Sequence, residues 1–122
     1  MTNKVMIVVE GDLYGKLLAK AFEERGYGVC ALLSKGEDAI EIALQEKPKA
    51  ILMDFLLQGD ITGVETAHII QADHKTPIVF LKNRLANDRL FMVEGQGVQT
   101  IITKRKAPAE IVTAVDKAVR LN

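Results

Sequence analysis

The sequence predicts an α/β fold: a doubly wound, five-stranded parallel sheet built from five βα units, (βα)5. Three observations predict it. Short β-rich apolar runs are each followed by a helix-period segment, five times along the chain, and that alternation packs helices on both faces of a parallel sheet. The runs are apolar with little alternation, as strands buried on both faces should be. The length, 122 residues, suits one domain covering positions 1–122 and one ordinary core.

Lys4–Val9 reads as the first strand, and Asp12 is placed to cap the helix that follows. That helix carries Leu17, Leu18 and Phe22 on one stripe and ends at Gly26. Val29–Leu33 is the second strand. Ser34 and Glu37 have the spacing of a capping box, and Ile40, Ala43 and Leu44 follow at i, i+3 and i+4 before Pro48. Ala50–Met53 is the third strand and runs into Asp54. A loop with Gly59 and Gly63 leads to a second box, Thr62 with Glu65, and a helix with Ala67, Ile70 and Ala72. Pro77–Leu81 is the fourth strand, followed by a short helix around Asn87–Glu94. Thr100–Thr103 is the fifth. Pro108 suits the first turn of a last helix, whose stripe is Ile111, Val112, Val115 and Val119.

Composition narrows the function classes. Apolar residues make up 48% and charged residues 26%, close to globular averages, which argues against disorder. Sixteen basic and sixteen acidic residues cancel, whereas a nucleic-acid binder is normally basic. The one cysteine, Cys30, has no partner for an internal disulfide and reads as core. The longest apolar runs, Val5–Val9 and Val29–Leu33, fall far short of the ~20 residues that span a bilayer, and the N-terminus has no cleavable apolar segment. The expectation is a cytoplasmic domain with no membrane contact and no direct nucleic-acid contact.

Ligands of such sheets bind beyond the carboxyl ends of the strands. Those ends carry Glu10, Gly11 and Asp12, then Asp54, then Lys82, then Lys104. Adjacent strands lie ~4.8 Å apart, so these side chains converge. Carboxylates and ammonium groups gathered there suit a hard cation or a phosphoryl group. Gly11–Lys16 glances at a phosphate-binding loop, but it has three residues between its glycines and Leu17 where a hydroxyl is required. No nucleophile–base pair supports an enzyme of another kind.

The chain resembles the receiver domain of two-component response regulators, over essentially its whole length. The stretches that carry the resemblance are Val5–Glu10, Ala50–Asp54 with Gly63 nine residues on, Pro77–Leu81 and Ile101–Lys104. It implies a flavodoxin-like sheet of order 2-1-3-4-5. It also implies that Asp54 accepts a phosphoryl group from a histidine kinase or phosphotransfer protein, that Glu10 and Asp54 hold Mg²⁺ with the backbone carbonyl of Leu56, and that Lys104 contacts the phosphoryl oxygens. A carboxylate nucleophile with cations on the equatorial oxygens is sound chemistry for that transfer. Beyond this self-phosphorylation and dephosphorylation, no enzyme activity is expected. The implied outputs are an effector domain or protein, and self-association.

The chain also departs from that pattern. Gly11 stands where the family has a second acid, and Asp12 next door is the alternative ligand. Lys82 replaces a Ser or Thr that normally bonds the phosphoryl group, and is expected beside Lys104 as a phosphate-contacting residue. Arg105 replaces a proline that follows the lysine through a cis bond; a cis non-proline bond costs ~2.5–4 kcal/mol, so a trans peptide is expected. Ile101 replaces an aromatic switch. Glu10 and Asp54 facing Lys82 and Lys104 sum to zero charge without metal, which predicts weak Mg²⁺ affinity and slow or absent phosphorylation, with the Lys82 ammonium in the space of the metal or the phosphoryl group and paired to Asp54. The double change Lys82→Thr with Gly11→Asp is expected to raise phosphorylation. The alternative function is a pseudo-receiver, a protein-interaction module independent of phosphorylation. Lys82 pointing to solvent, and a basic patch of Arg84, Arg89, Arg105 and Lys106, are further readings. His68 and His74 lie away from the strand ends.

Overall fold

A computed structural model describes residues 3–57, 59–83, 89–93 and 97–121. The elements are β1 (Lys4–Val8), α1 (Asp12–Glu24), β2 (Gly28–Leu33), α2 (Gly36–Glu46), β3 (Ala50–Asp54), α3 (Gly63–Asp73), β4 (Ile78–Lys82), β5 (Arg89–Val93), β6 (Gly97–Thr103) and α4 (Pro108–Leu121). They form one sheet in the order β2-β1-β3-β4-β6-β5. Its first five members pair in parallel, giving the expected 2-1-3-4-5 order of five parallel strands.

One element differs. Arg89–Val93, inside the stretch expected as a fourth helix, is an edge strand paired antiparallel to β6, with Arg89 opposite Ile101 and Val93 opposite Gly97. Asn87, Asp88 and Glu94 lie outside the described residues, as does Arg84. The physical reason is local. Two runs of strand formers flank Glu94-Gly95-Gln96, and three residues containing glycine are a hairpin signal. A helix of two turns there gains too little packing to compete.

Side chains of the parallel strands alternate between two cores. Val5, Ile7, Leu52, Val79, Leu81 and Ile102 face α1 and α4, where Leu18, Phe22, Ile111, Val112 and Val115 meet them. Met6, Val8, Ile51, Met53, Ile78 and Phe80 face α2 and α3. The expected stripes need adjustment. Leu17 and Leu44 are half exposed, and Ala72 is exposed. α1 instead packs through Gly15, Leu18 and Phe22, and α2 through Ala39 and Ala43. At position 72 the helix has turned outward, and the buried neighbour is Gln71, whose Nε2 donates to the Thr76 carbonyl at 2.8 Å.

Caps follow the same pattern of partial agreement. Asp12 is the first residue of α1, not its cap; Gly11 holds the cap position and no side chain bonds there. Lys35, not Ser34, caps α2, again without a side-chain bond. The Thr62–Glu65 box forms in full, with both reciprocal hydrogen bonds present.

Candidate functional site at the carboxyl ends of the strands

β3 is buried along its whole length and delivers Asp54 to the edge of the sheet with 3% of its surface exposed. Two neighbours hold its carboxylate. The backbone N–H of Glu10, just past β1, donates to Oδ2 at 2.9 Å. The Lys104 ammonium, just past β6, lies 2.7 Å from Oδ1; this contact is an ion pair without hydrogen-bond alignment, since Oδ1 has no aligned donor. Lys104 is itself fixed by its N–H, which donates to the Lys82 carbonyl at 2.9 Å. A buried carboxylate requires such partners.

Gly63 explains how α3 approaches. A Cβ at this position would lie 2.0 Å from the Asp54 carbonyl oxygen and 2.9 Å from that of Phe55. Only glycine lets the helix start there, against the backbone that carries Asp54.

The sequence-predicted residues divide between two concavities. A cleft of about 360 Å³ is lined by Asp54, Phe55, Leu56, Leu81, Lys82, Asn83 and Lys104. A shallower one of about 590 Å³ is lined by Glu10, Gly11, Asp12, Ser34, Lys35 and Gly59. Asp12 is exposed on the first turn of α1 and faces this second space. Lys82 enters the first cleft, but its ammonium stands 4.7 Å from the centroid of the Phe55 ring. Phe55 in turn packs edge-on against Phe80 at 5.5 Å. Among the described residues, the cation at ion-pair distance from Asp54 is Lys104; the expected Lys82–Asp54 pair is replaced by a cation–π contact.

Gly11 is more than a missing acid. Its φ of 92° and ψ of 111° form a backbone conformation that side-chain-bearing residues rarely adopt. The turn from β1 into α1 is built around glycine.

Among the described residues there is no cis peptide bond, so Lys104–Arg105 is trans. The Arg105 N–H donates to Thr103 Oγ1 at 3.1 Å and starts a tight turn. The Glu110 carboxylate accepts from the Ala107 N–H and opens α4. Ile101 is half-buried against the α2/α3 core. His68 and His74 are exposed on or beyond α3, remote in the chain from the strand ends. Cys30 is half-buried, and burial raises its thiol pKa.

One site residue escaped the sequence reading. Tyr14, on the first turn of α1, has a buried hydroxyl with no hydrogen-bond partner. The Lys104 ammonium lies 5.4 Å from its ring centroid. Its pKa is pushed up to about 12, chiefly by burial and further by the Asp54 charge. The signal was its position, three residues after Gly11 at a strand end.

A divalent cation here would draw on Asp54, Glu10 and the Leu56 carbonyl. Among the described residues no group of three or more acid, histidine or cysteine side chains is placed to hold a metal. Mg²⁺ takes six oxygens in near-ideal octahedral geometry, is usually held by one or two carboxylates and completes its shell with water.

The family model of the response regulator receiver domain matches residues 5–116. The chain is 28% identical over 122 residues to the transcriptional regulatory protein SrrA of Staphylococcus aureus, covering 98% of this chain and 49% of that protein. It spans about half the length of the curated relatives it matches. The N-terminal domain of a response regulator/sensory box/GGDEF three-domain protein from Carboxydothermus hydrogenoformans is 30% identical, with a TM-score of 0.79 over 97% of this chain and 94% of that one. The receiver domain of sensor histidine kinase PA1611 from Pseudomonas aeruginosa, solved with magnesium in its active-site cleft, shares the fold at 19% identity and a TM-score of 0.78, over 98% and 99% of the two chains. No helix among the described residues is long and apolar enough to cross a membrane. With its sheet order, its buried strand-end aspartate and a family match over nearly all its length, the chain belongs to the response regulator receiver domains of two-component signalling.

Proposed function

We propose that Asp54 accepts a phosphoryl group from the phosphohistidine of a histidine kinase or phosphotransfer protein, in a pocket of low Mg²⁺ affinity. The observation that supports it best is the Asp54 carboxylate, buried at the mouth of a cleft and held by Lys104 at 2.7 Å and the Glu10 N–H at 2.9 Å. In the transfer the P–N bond breaks, its electron pair stays on the imidazole nitrogen, and a P–O bond forms to Asp54. Lys104 neutralises oxygens of the arriving group. The Glu10 N–H keeps the carboxylate from rotating. Mg²⁺, when bound through Asp54, Glu10 and the Leu56 carbonyl, supplies positive charge to the same oxygens. Gly11 supplies no acid where the family has a second one, and Lys82 and Lys104 already bring two positive charges to the cleft. These features support weak metal binding and slow turnover. The output passes to an effector domain or partner protein.

Intact mass after incubation with acetyl phosphate, with and without Mg²⁺, tests this. The expected result is a gain of one phosphoryl group, lost in Asp54→Asn, that Mg²⁺ promotes only at high concentration. No gain in a folded protein would overturn it and leave a phosphorylation-independent binding module. A gain with steep dependence at low Mg²⁺ would overturn the low-affinity part alone.

A further inference from the structure

Asp54, Phe55, Leu56, Leu81, Lys82, Asn83 and Lys104 line the phosphoryl cleft without a single hydroxyl side chain. The nearby buried hydroxyl belongs to Tyr14, and it has no hydrogen-bond partner. Buried hydroxyls are nearly always paired, and an orphan one calls for an explanation. Tyr14 is tied to the reaction centre through Lys104, whose ammonium contacts both the Tyr14 ring, 5.4 Å from its centroid, and Asp54 Oδ1 at 2.7 Å.

We propose that the Tyr14 hydroxyl is a ligand of the phosphoryl group on Asp54, donating a hydrogen bond to one of its oxygens and so coupling phosphorylation to α1. This rests on Asp54 being the phosphoacceptor. When Asp54 is phosphorylated, the group adds oxygens beside Lys104, the ammonium that also lies against the Tyr14 ring. The orphan donor then gains an acceptor, and the bond is charge-assisted, hence strong. A phenol titrates near ~10 or above, so the group is a protonated donor throughout the physiological range.

The chain has no tryptophan and two tyrosines, so tyrosine absorption and fluorescence report directly. Tyr27, the other one, bonds Asp116 on α4; Tyr27→Phe isolates the Tyr14 signal. Acetyl phosphate should shift that signal in step with the mass gain, and the shift should vanish in Asp54→Asn. Tyr14→Phe, which keeps the ring under Lys104, should shorten the lifetime of the aspartyl phosphate about tenfold after the donor is removed. Phosphorylation with an unchanged Tyr14 signal and an unchanged lifetime in Tyr14→Phe would overturn this inference alone. No mass gain in either protein would overturn the phosphoacceptor reading and this one with it. The spectroscopic arm leaves Tyr14 intact, so it stands even if Tyr14→Phe folds poorly.

Discussion

At the scale of single residues, the backbone decides what Gly11 means. The obvious repair, Gly11→Asp, would place a side chain at φ 92°, where strain costs about 1–3 kcal/mol. Space is available, since a Cβ there meets nothing closer than Tyr14 Cβ at 3.9 Å; the conformation is the obstacle. Gly11→Asp should therefore lower thermal stability by that amount unless the turn rearranges, and Mg²⁺ titration should show little gain in affinity. A large gain with unchanged melting temperature would mean that the turn remodels freely. Of the double change expected from the sequence to raise phosphorylation, Lys82→Thr is the half that the geometry supports. Lys82 lies over Phe55 in the same cleft, and removing it lowers the positive charge there. The sequence could name Gly11 and Lys82 as departures, because residue types are written in it. It could not say that one sits in a left-handed turn and the other on an aromatic ring, because both depend on contacts between distant segments.

At the scale of elements, α3 is the support of the site. Its capping box at Thr62 and Glu65 fixes where the helix begins, and Gly63 lets that first turn rest on the Asp54 carbonyl. Thr62→Ala should cost about 1 kcal/mol of stability. Gly63→Ala should be worse, about 1–3 kcal/mol from overpacking, because a backbone carbonyl has to move. It should also slow phosphorylation, since that carbonyl belongs to the nucleophile; unchanged kinetics at reduced stability would separate α3 from the site. The Thr62 box and the five parallel strands were legible because each rests on local pattern. The Ser34 box was not, because Lys35 takes the cap position as α2 packs. Arg89–Val93 was misread as helix for a related reason. Its contiguous apolar run, Leu90–Val93, fits either spacing, and what marks it as strand is the second run of strand formers beyond Glu94-Gly95-Gln96. Tyr14 escaped because one tyrosine on a helix has no periodicity to announce it.

At the scale of the whole molecule, the two tyrosines join the site to the helix layer behind it. Tyr14 connects α1 to Lys104 beyond β6. Tyr27 follows α1, packs edge-on against Phe22, and donates its hydroxyl to Asp116 of α4, where Arg25 also binds at 2.7 Å. Both phenols are pushed up to about 12. Burial is the main cause in each, followed by the Asp54 charge for Tyr14 and by the hydrogen bond and charge of Asp116 for Tyr27. In the unfolded chain a tyrosine titrates near ~10. Between those values the unfolded state releases protons that the folded state keeps, so folding stability falls as pH rises. The contribution is fully present below pH ~10 and is lost on the way to about 12. Lysines titrate over the same range, so the informative quantity is the difference between variants. Tyr27→Phe removes one of the two phenols and its bond to Asp116, lowering stability at neutral pH by about 1 kcal/mol. From pH 10 to 12 its stability should then decline less steeply than that of the parent chain, and the two curves should converge. Melting curves collected across that range give both slopes; parallel curves would mean that the Tyr27–Asp116 contact does not hold the phenol proton in solution.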